Sequence, residues 1–136
     1  MASQRMTEVK DEPLTILGDC IQLRIEIAPR PACRPRFRSN GCVYNDPSYK
    51  EWLDEFAGMA RRIWLDDPLK KVSHLKIIFN GETKRGDLDN YLKAALDGLV
   101  YAGVLKNDNL SVIDSIETSF VKTLLSPPWI VVLIEP

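Results

Sequence analysis

The chain has 136 residues, of which 45% are hydrophobic and 27% charged, so one domain with a buried core is its simplest organisation. Its formal net charge of −1 excludes a uniformly basic nucleic-acid binder, and any such contact must come from local clusters of Arg and Lys. The longest apolar run, residues 129–134, is far shorter than the roughly 20 residues of a membrane span, and the N-terminus is polar. We therefore expect a cytoplasmic protein without membrane contact.

The cysteines and the single histidine argue against a zinc or disulfide framework. Cys20, Cys33 and Cys42 are odd in number and form no C-x-x-C pair, and His74 alone cannot complete the usual zinc spacings. We expect reduced cysteines, with a disulfide or a zinc site as the lesser alternative. His74 lies within a predicted strand without an elbow motif, which favours a structural role over Ser/His/Asp or Cys/His catalysis.

The first third of the chain predicts an arm, a strand and a basic loop. Residues 1–18 are expected to be a flexible N-terminal arm that ends in a turn at Gly18, and residues 19–136 the domain. Alternating apolar side chains in residues 20–28 predict a half-buried strand. The proline-rich stretch 29–47 predicts an extended loop with four arginines: Arg30, Arg34, Arg36 and Arg38. Taken alone, these arginines fit either a solvated loop or a phosphate-binding one.

The remainder predicts two helices and three more strands. One helix starts at Asp46-Pro47 and ends before residues 65–68, with Trp52, Phe56, Met59, Ala60 and Ile63 as its buried stripe. The second runs from Asn90 to about Ala102, with Gly103 as its left-handed stop. Strands are expected at 72–81, with Leu75, Ile77 and Phe79 on one face, and at 111–121 and 129–135. The predicted fold is α+β, a single domain with a mixed β-sheet and helices packed on it, in the order β-α-β-α-β-β.

Acidic residues crowd the start of the second predicted helix. Asp87 and Asp89 are expected in an extended segment with both side chains on one side, and Asp89 at the N-cap. Lys93 and Asp97 follow Asp89 at intervals of four residues. A structural alternative is that Asp89 caps the helix, Lys93 pairs with both neighbours and Asp87 is a loop acid attracted by the helix dipole. Capping alone leaves the second acid unexplained.

A divalent-metal site accounts for both acids. Mg²⁺ takes one or two carboxylates, and Asp108, in the turn after the helix, is the natural third. Carboxylates about 5 Å apart repel by roughly 3 kcal/mol at an effective dielectric of 20, so convergence of the three would require a cation. An EF-hand is disfavoured because Tyr91 and Leu92 occupy the positions where its loop needs an oxygen ligand and glycine. Lys84 and Arg85, with the arginine-rich loop, favour a phosphodiester substrate.

The stretch GDLDNYLKAALDGLVYAGVLKNDNLSV, residues 86–112, resembles the signature of RusA-type Holliday junction resolvases. The resemblance covers most of the chain, including the basic loop, the helix start PSYKEW and the last two strands. It implies that Asp87, Asp89 and Asp108 are the catalytic metal ligands and that Lys93 is catalytically important. Asn90 and Asp97 also match motif positions. Asn107 stands where many members have an acid, which leaves Asp108 as the single third ligand.

The resemblance also implies an activity and partners. It indicates a homodimeric endodeoxyribonuclease that uses Mg²⁺, with Mn²⁺ as a substitute, and resolves four-way DNA junctions by paired symmetric nicks in recombination and repair. Such a protein would be cytoplasmic and associated with the nucleoid through DNA. Arg30, Arg34, Arg36, Arg38, Lys84 and Arg85 would hold phosphates without reading sequence. The alternatives are a related nuclease for other branched or flap DNA and a non-catalytic DNA-binding protein of the same fold.

Overall fold

The computed structural model describes residues 10–32, 36–37, 43–44, 47–82, 86–123 and 126–136. Two helices lie in these ranges, α1 (Pro47–Ile63) and α2 (Leu88–Tyr101). The strands are β1 (Leu14–Leu17), β2 (Cys20–Ile25), β3 (Arg36–Phe37), β4 (Val43–Tyr44), β5 (His74–Gly81), β6 (Ile116–Lys122) and β7 (Trp129–Glu135).

The strands form one mixed sheet and one small hairpin. Five strands are ordered β1-β2-β7-β5-β6, and β3 pairs with β4 separately. β5 and β6 are parallel because α2 carries the chain back between them, whereas the other neighbours in the sheet are antiparallel. The expected α+β fold with a mixed sheet is confirmed, and β1 and the β3–β4 hairpin are additions to the predicted order.

Both helices pack on one face of this sheet. On β5, Leu75, Ile77 and Phe79 are fully buried in the same core as the apolar stripes of the helices, as their alternation predicted. The buried residues of α1 are Tyr49, Trp52, Phe56, Ala57 and Ala60. The helix begins and ends close to the predicted bounds, but Met59 and Ile63 are only partly buried.

The opposite face of the sheet is buried as well. A second cluster contains Cys20, Ile78, Val131 and Leu133. Gln22 on β2 is also fully buried, and its side-chain amide exchanges two hydrogen bonds of 3.1 Å with the backbone of Lys10. The predicted strand and its apolar face are confirmed, since Leu23 and Ile25 are fully buried. Gln22 on the other face departs from the half-buried pattern, because its amide satisfies its polar atoms against the backbone and so allows it to be buried.

Cys20 is a free thiol in this second cluster. Burial, and secondarily the charge of Glu135, raises the pKa of the Cys20 thiol, because both disfavour the thiolate. This agrees with the expectation of a reduced cysteine at this position. Cys33 and Cys42 lie outside the described residues.

Several predicted boundaries moved. β1 falls within the expected arm, because residues 14–17 pair with β2 through a turn at Gly18, whose φ is 66°. α2 begins two residues before the predicted Asn90, and β6 begins at Ile116 after a turn instead of at residue 111. The left-handed stop at Gly103 is confirmed, with φ of 80° immediately after the C-cap residue Ala102. Residues 1–9 lie outside the described ranges.

The two helices are in close contact at Gly98. A Cβ atom built on Gly98 of α2 would overlap the ring carbons of Phe56 on α1. Because Phe56 is fully buried, its ring has no free space into which it could move. Gly98 therefore sets how α2, and the residues at its start, sit against the rest of the domain.

We expect Gly98→Ala to lower the free energy of unfolding by about 1–3 kcal/mol, because the added methyl group overpacks this contact. Gly58→Ala in α1 is the matched control: a Cβ there meets nothing within 4 Å, and the loss of backbone freedom in the unfolded chain should raise stability by about 0.4–1 kcal/mol. Urea titration of both variants measures the difference. Equal stabilisation by the two substitutions would contradict the close packing at Gly98.

Candidate active site

The acidic pair lies where the chain turns from a loop into α2. Gly86 has φ of 82°, a conformation that side-chain-bearing residues rarely adopt, and it turns the chain toward the helix. Asp87 follows in an extended conformation (φ −97°, ψ 139°) as the N-cap residue. Its backbone carbonyl accepts hydrogen bonds from Asn90 N at 3.1 Å and Tyr91 N at 3.4 Å. The prediction that Asp89 is the N-cap was wrong, because the helix starts at Leu88.

Neither carboxylate of this pair is used to hold the helix. Asp87 makes no side-chain capping bond, and Asp89 lies in the first helical turn, where the helix dipole favours its negative charge. Both residues are exposed. Within the described ranges neither side chain makes a hydrogen bond or an ion pair. The structural explanation that the sequence offered for Asp89 therefore does not apply, and both acids are available for binding.

Lys93 joins α2 to the turn that carries Asp108. Its Nζ lies 2.9 Å from Asp97 Oδ1 and 3.7 Å from Asp108 Oδ2. The hydrogen bond to Asp97 is the main cause that raises the pKa of Lys93, against the opposing effect of burial, and the charge of Asp108 adds to it. The ammonium is therefore charged at neutral pH. The sequence predicted pairing with Asp89 and Asp97, but the second partner is Asp108.

Asp97 has a second partner on α1. The hydroxyl of Tyr49 donates a 3.0 Å hydrogen bond to Asp97 Oδ2, so the two oxygens of this carboxylate hold Tyr49 and Lys93. The guanidinium of Arg30 lies over the Tyr49 ring, 5.8 Å from its centroid. These contacts form a continuous series from the basic loop through Tyr49 and Asp97 to Lys93. They give Asp97 a structural role that does not require it to bind metal.

The turn that presents Asp108 is anchored on both sides. Val104 and Leu105 before it and Val112 and Ile113 after it are buried in the main core. The side-chain oxygen of Asn107 accepts a 2.8 Å hydrogen bond from the backbone N–H of Asp108. Asn107 thus supports the turn. An open groove of about 660 Å³ extends from Asp108 to the start of β6.

The three predicted metal ligands do not form one group in this arrangement. Asp87, Asp89 and Asp108 all lie in described ranges, and no cluster of three or more His, Cys, Asp or Glu side chains suited to hold a metal ion occurs among the described residues. Asp108 is paired with Lys93 instead. The assignment of these three residues as ligands stays a prediction.

The basic loop is attached next to the acids. The backbone N–H of Ala32 donates a 2.9 Å hydrogen bond to the carbonyl of Asn90, in the first turn of α2. Arg30 is half-buried against Tyr49. The side chains of the other predicted DNA contacts lie outside the described residues: Arg34, Arg36, Arg38, Lys84 and Arg85. The loop therefore enters close to the acidic pair, and the positions of its remaining arginines stay predictions.

His74 has two polar neighbours at the start of the edge strand β6, Ser115 just before the strand and Glu117 within it. Its Nδ1 lies 2.9 Å from Ser115 Oγ, and its Nε2 lies 3.4 Å from Glu117 Oε1. Lys76 also pairs with Glu117, at 3.2 Å. These contacts tie β5 to its neighbour, in agreement with the predicted structural role of His74. The sequence could not indicate them, since they depend on the register between two strands about 40 residues apart.

This α+β domain brings together two acids without a side-chain partner in the described ranges, a lysine between two further carboxylates and the entry of a basic loop. The family model for "Endodeoxyribonuclease RusA" matches residues 26–135, which is most of the chain, and the protein therefore belongs to the RusA endodeoxyribonuclease family. No curated protein sequence matches the chain.

A similar solved structure carries the description "Crystal structure of a putative endoribonuclease from shewanella oneidensis mr-1". The similarity covers 94% of this chain and 86% of that chain, at 15% sequence identity and a TM-score of 0.37. Among the described residues, no helix has both the length and the apolar character needed to cross a bilayer.

Proposed function

We propose that this protein is a divalent-metal-dependent endonuclease that resolves four-way DNA junctions by paired symmetric nicks in recombination and repair. Membership of an endodeoxyribonuclease family supports the class of reaction. The observation that carries the proposal is the pair Asp87 and Asp89, two exposed carboxylates that take no part in capping the helix they begin. Two carboxylates at one turn that make no hydrogen bond or ion pair in the described ranges can take the oxygen-ligand positions of a divalent cation.

Asp87, Asp89 and Asp108 would hold the metal ion. Their oxygens are the hard donors that Mg²⁺ prefers, and Mn²⁺ would substitute because it accepts the same ligands. The first two acids have no side-chain partner to give up within the described ranges, while Asp108 would exchange its contact with Lys93. When bound, a divalent cation supplies activation of a water and stabilisation of the negative charge that grows on the phosphate.

Lys93 would provide a positive charge for the phosphate under attack. In the described arrangement its ammonium faces two carboxylates, so the local charge of this group is negative. If Asp108 binds metal, Lys93 keeps Asp97 and gains room for a phosphate oxygen. Asp97, which Tyr49 holds from α1, would fix the direction of the lysine during this exchange. A lysine held in this way can stabilise developing charge without first reorganising.

DNA would lie across the basic loop and the start of α2. The net charge of −1 means that phosphate contacts must be local, and Arg30, Arg34, Arg36, Arg38, Lys84 and Arg85 are the candidates. Such contacts position the substrate and carry no base information. Two symmetric nicks in a four-way junction require two active sites, so the protein would act as a homodimer. It would work in the cytoplasm, on the nucleoid.

We expect the purified protein to cut a labelled four-way junction in Mg²⁺ or Mn²⁺ and to lose this activity in EDTA. Asp89→Asn should lower the cleavage rate by about 10²–10³-fold, because it removes a metal ligand. Cleavage that persists in EDTA would contradict the metal-dependent mechanism. Equal cleavage of linear duplex or flap DNA would contradict junction resolution and leave a nuclease of another substrate class.

Two controls separate chemistry from folding in this experiment. Asp66→Asn changes an exposed acid outside the proposed site and should leave the cleavage rate within about twofold. The free energy of unfolding of Asp89→Asn should stay within about 0.5 kcal/mol of wild type, because the side chain makes no bond in the described part of the chain. A larger loss of stability would show that the Asp89 side chain has a structural role.

Lys93→Met is expected to lower junction cleavage by about 10²–10³-fold, because the charge proposed to stabilise the transition state is lost. Lys50→Met is the matched control, since Lys50 and Asp54 form the same i,i+4 pair, at 3.3 Å, on the exposed side of α1. That variant should cleave at nearly the wild-type rate, since such a surface pair contributes only about 0.3–0.5 kcal/mol to stability. Single-turnover cleavage rates of both variants are to be compared. Similar small losses in the two rates would contradict a catalytic role for Lys93.

A further inference from the structure

A cavity of about 350 Å³ lies beside the first turns of α2, and none of the residues assigned above lines it. Its volume is near the lower end of the range of about 300–1,000 Å³ that is typical of small-molecule sites. The residues that line it are Ala28, Pro29, Gly81, Glu82, Tyr91 and Phe120, together with Pro128. Two aromatic rings and two prolines contribute flat apolar surface to this lining, and Glu82 and backbone atoms contribute polar surface.

The walls of this cavity are held in place by the fold. The carbonyl of Ala28 accepts a 2.8 Å hydrogen bond from the indole N–H of Trp52, and the carbonyl of Gly81 accepts a 3.1 Å bond from Thr123 N. The rings of Tyr91 and Phe120 meet edge to face, with centroids 5.1 Å apart. Both rings also pack against the buried Phe79. These contacts fix four of the residues that line the cavity at the edge of the core.

The acids lie on the chain between two of these walls. Gly81 and Glu82 form one wall and Tyr91 another, and Asp87 and Asp89 stand between them in the sequence. A Cβ on Gly86 would come within 3.9 Å of the Tyr91 ring, so the segment that leads into the acids passes beside this wall. If the phosphate of a nucleotide reaches the acidic pair, the base of that nucleotide or of the adjacent one could therefore reach the cavity.

We propose that this cavity binds an unpaired nucleobase from the branch point of the DNA substrate, an inference that rests on the proposed junction-cleaving function. Aromatic side chains stack on bases of any sequence, and a flat base suits a small cavity with aromatic and proline walls. The carboxylate of Glu82 at the rim repels a phosphate but can accept a hydrogen bond from an exocyclic amino group.

This binding would favour branched over linear DNA. A base in an intact duplex must first be unstacked and unpaired before it can enter a pocket, whereas a base at a branch point is already partly released. The cavity would therefore select the structure of the substrate through the cost of extracting the base. Phosphate contacts alone cannot make this distinction, since every duplex offers them.

A double-mutant cycle between protein and DNA tests the proposal. Ala28→Leu fills the cavity from its exposed rim, and junctions with an abasic site at each branch-point nucleotide in turn remove the base. We expect each change alone to lower kcat/KM by roughly 5- to 150-fold at one nucleotide position, and the two together to cause no further loss. Gly58→Leu, which places a leucine on α1 outside the cavity, where a Cβ meets nothing within 4 Å, should leave kcat/KM unchanged.

A second measurement does not depend on the variant. With 2-aminopurine at the same nucleotide, wild-type protein in Ca²⁺ should shield the base from quenching by acrylamide, compared with the free junction. Wild-type cleavage that is insensitive to every abasic site, or effects of the two changes that multiply, would overturn the base-binding cavity while leaving the nuclease function in place. Failure of wild-type protein to cut or bind any junction would overturn the proposed function, and this inference with it.

Discussion

Carboxylates of α2 and the following turn lie close to one another in this protein, and the ammonium of Lys93 offsets the repulsion between two of them. It contacts the carboxylates of Asp97 on α2 and Asp108 in the following turn. Two carboxylates about 5 Å apart repel by roughly 3 kcal/mol at an effective dielectric of 20. A cation between them removes this cost and ties a helix to a turn that the chain reaches 11 residues after Asp97.

The rest of the fold positions this group. β5 delivers the chain to the start of α2, the Gly98–Phe56 contact fixes α2 against α1, and the buried residues on either side of Asp108 anchor its turn. Tyr49 adds a hydrogen bond from α1 to the same network. Asp87 and Asp89 are different, since no cation among the described residues balances them. A bound metal ion would balance the charges of Asp87 and Asp89 at the helix start, as Lys93 balances those of Asp97 and Asp108.

Much of this could be predicted from the sequence because the signals are local. Alternation located β2 and β5, proline at the first helical position located α1, and Gly103 ended α2 as expected. The acidic residues were recognised from their spacing and from a family resemblance that the family match confirms. These signals lie within a few residues of the feature they predict.

The features that were predicted wrongly or not at all depend on contacts between residues far apart in the sequence. Asp87 and Asp89 are equally good capping residues, and only the tertiary position of the helix start decides between them. Burial of Gln22 depends on the backbone of Lys10, and the pairing of Lys93 with Asp108 depends on how the turn after α2 packs. The aromatic cavity brings together residues from five separate segments of the chain. Periodicity in one segment contains none of this information.

The location of a bound metal ion tests the central claim most directly. Crystals of the protein grown in Mn²⁺ should give an anomalous diffraction peak about 2.1 Å from carboxylate oxygens of Asp87, Asp89 and Asp108, with Asp108 no longer in contact with Lys93. An ion bound by other residues, or no ion while Asp108 stays paired with Lys93 at millimolar Mn²⁺, would contradict the proposed active site.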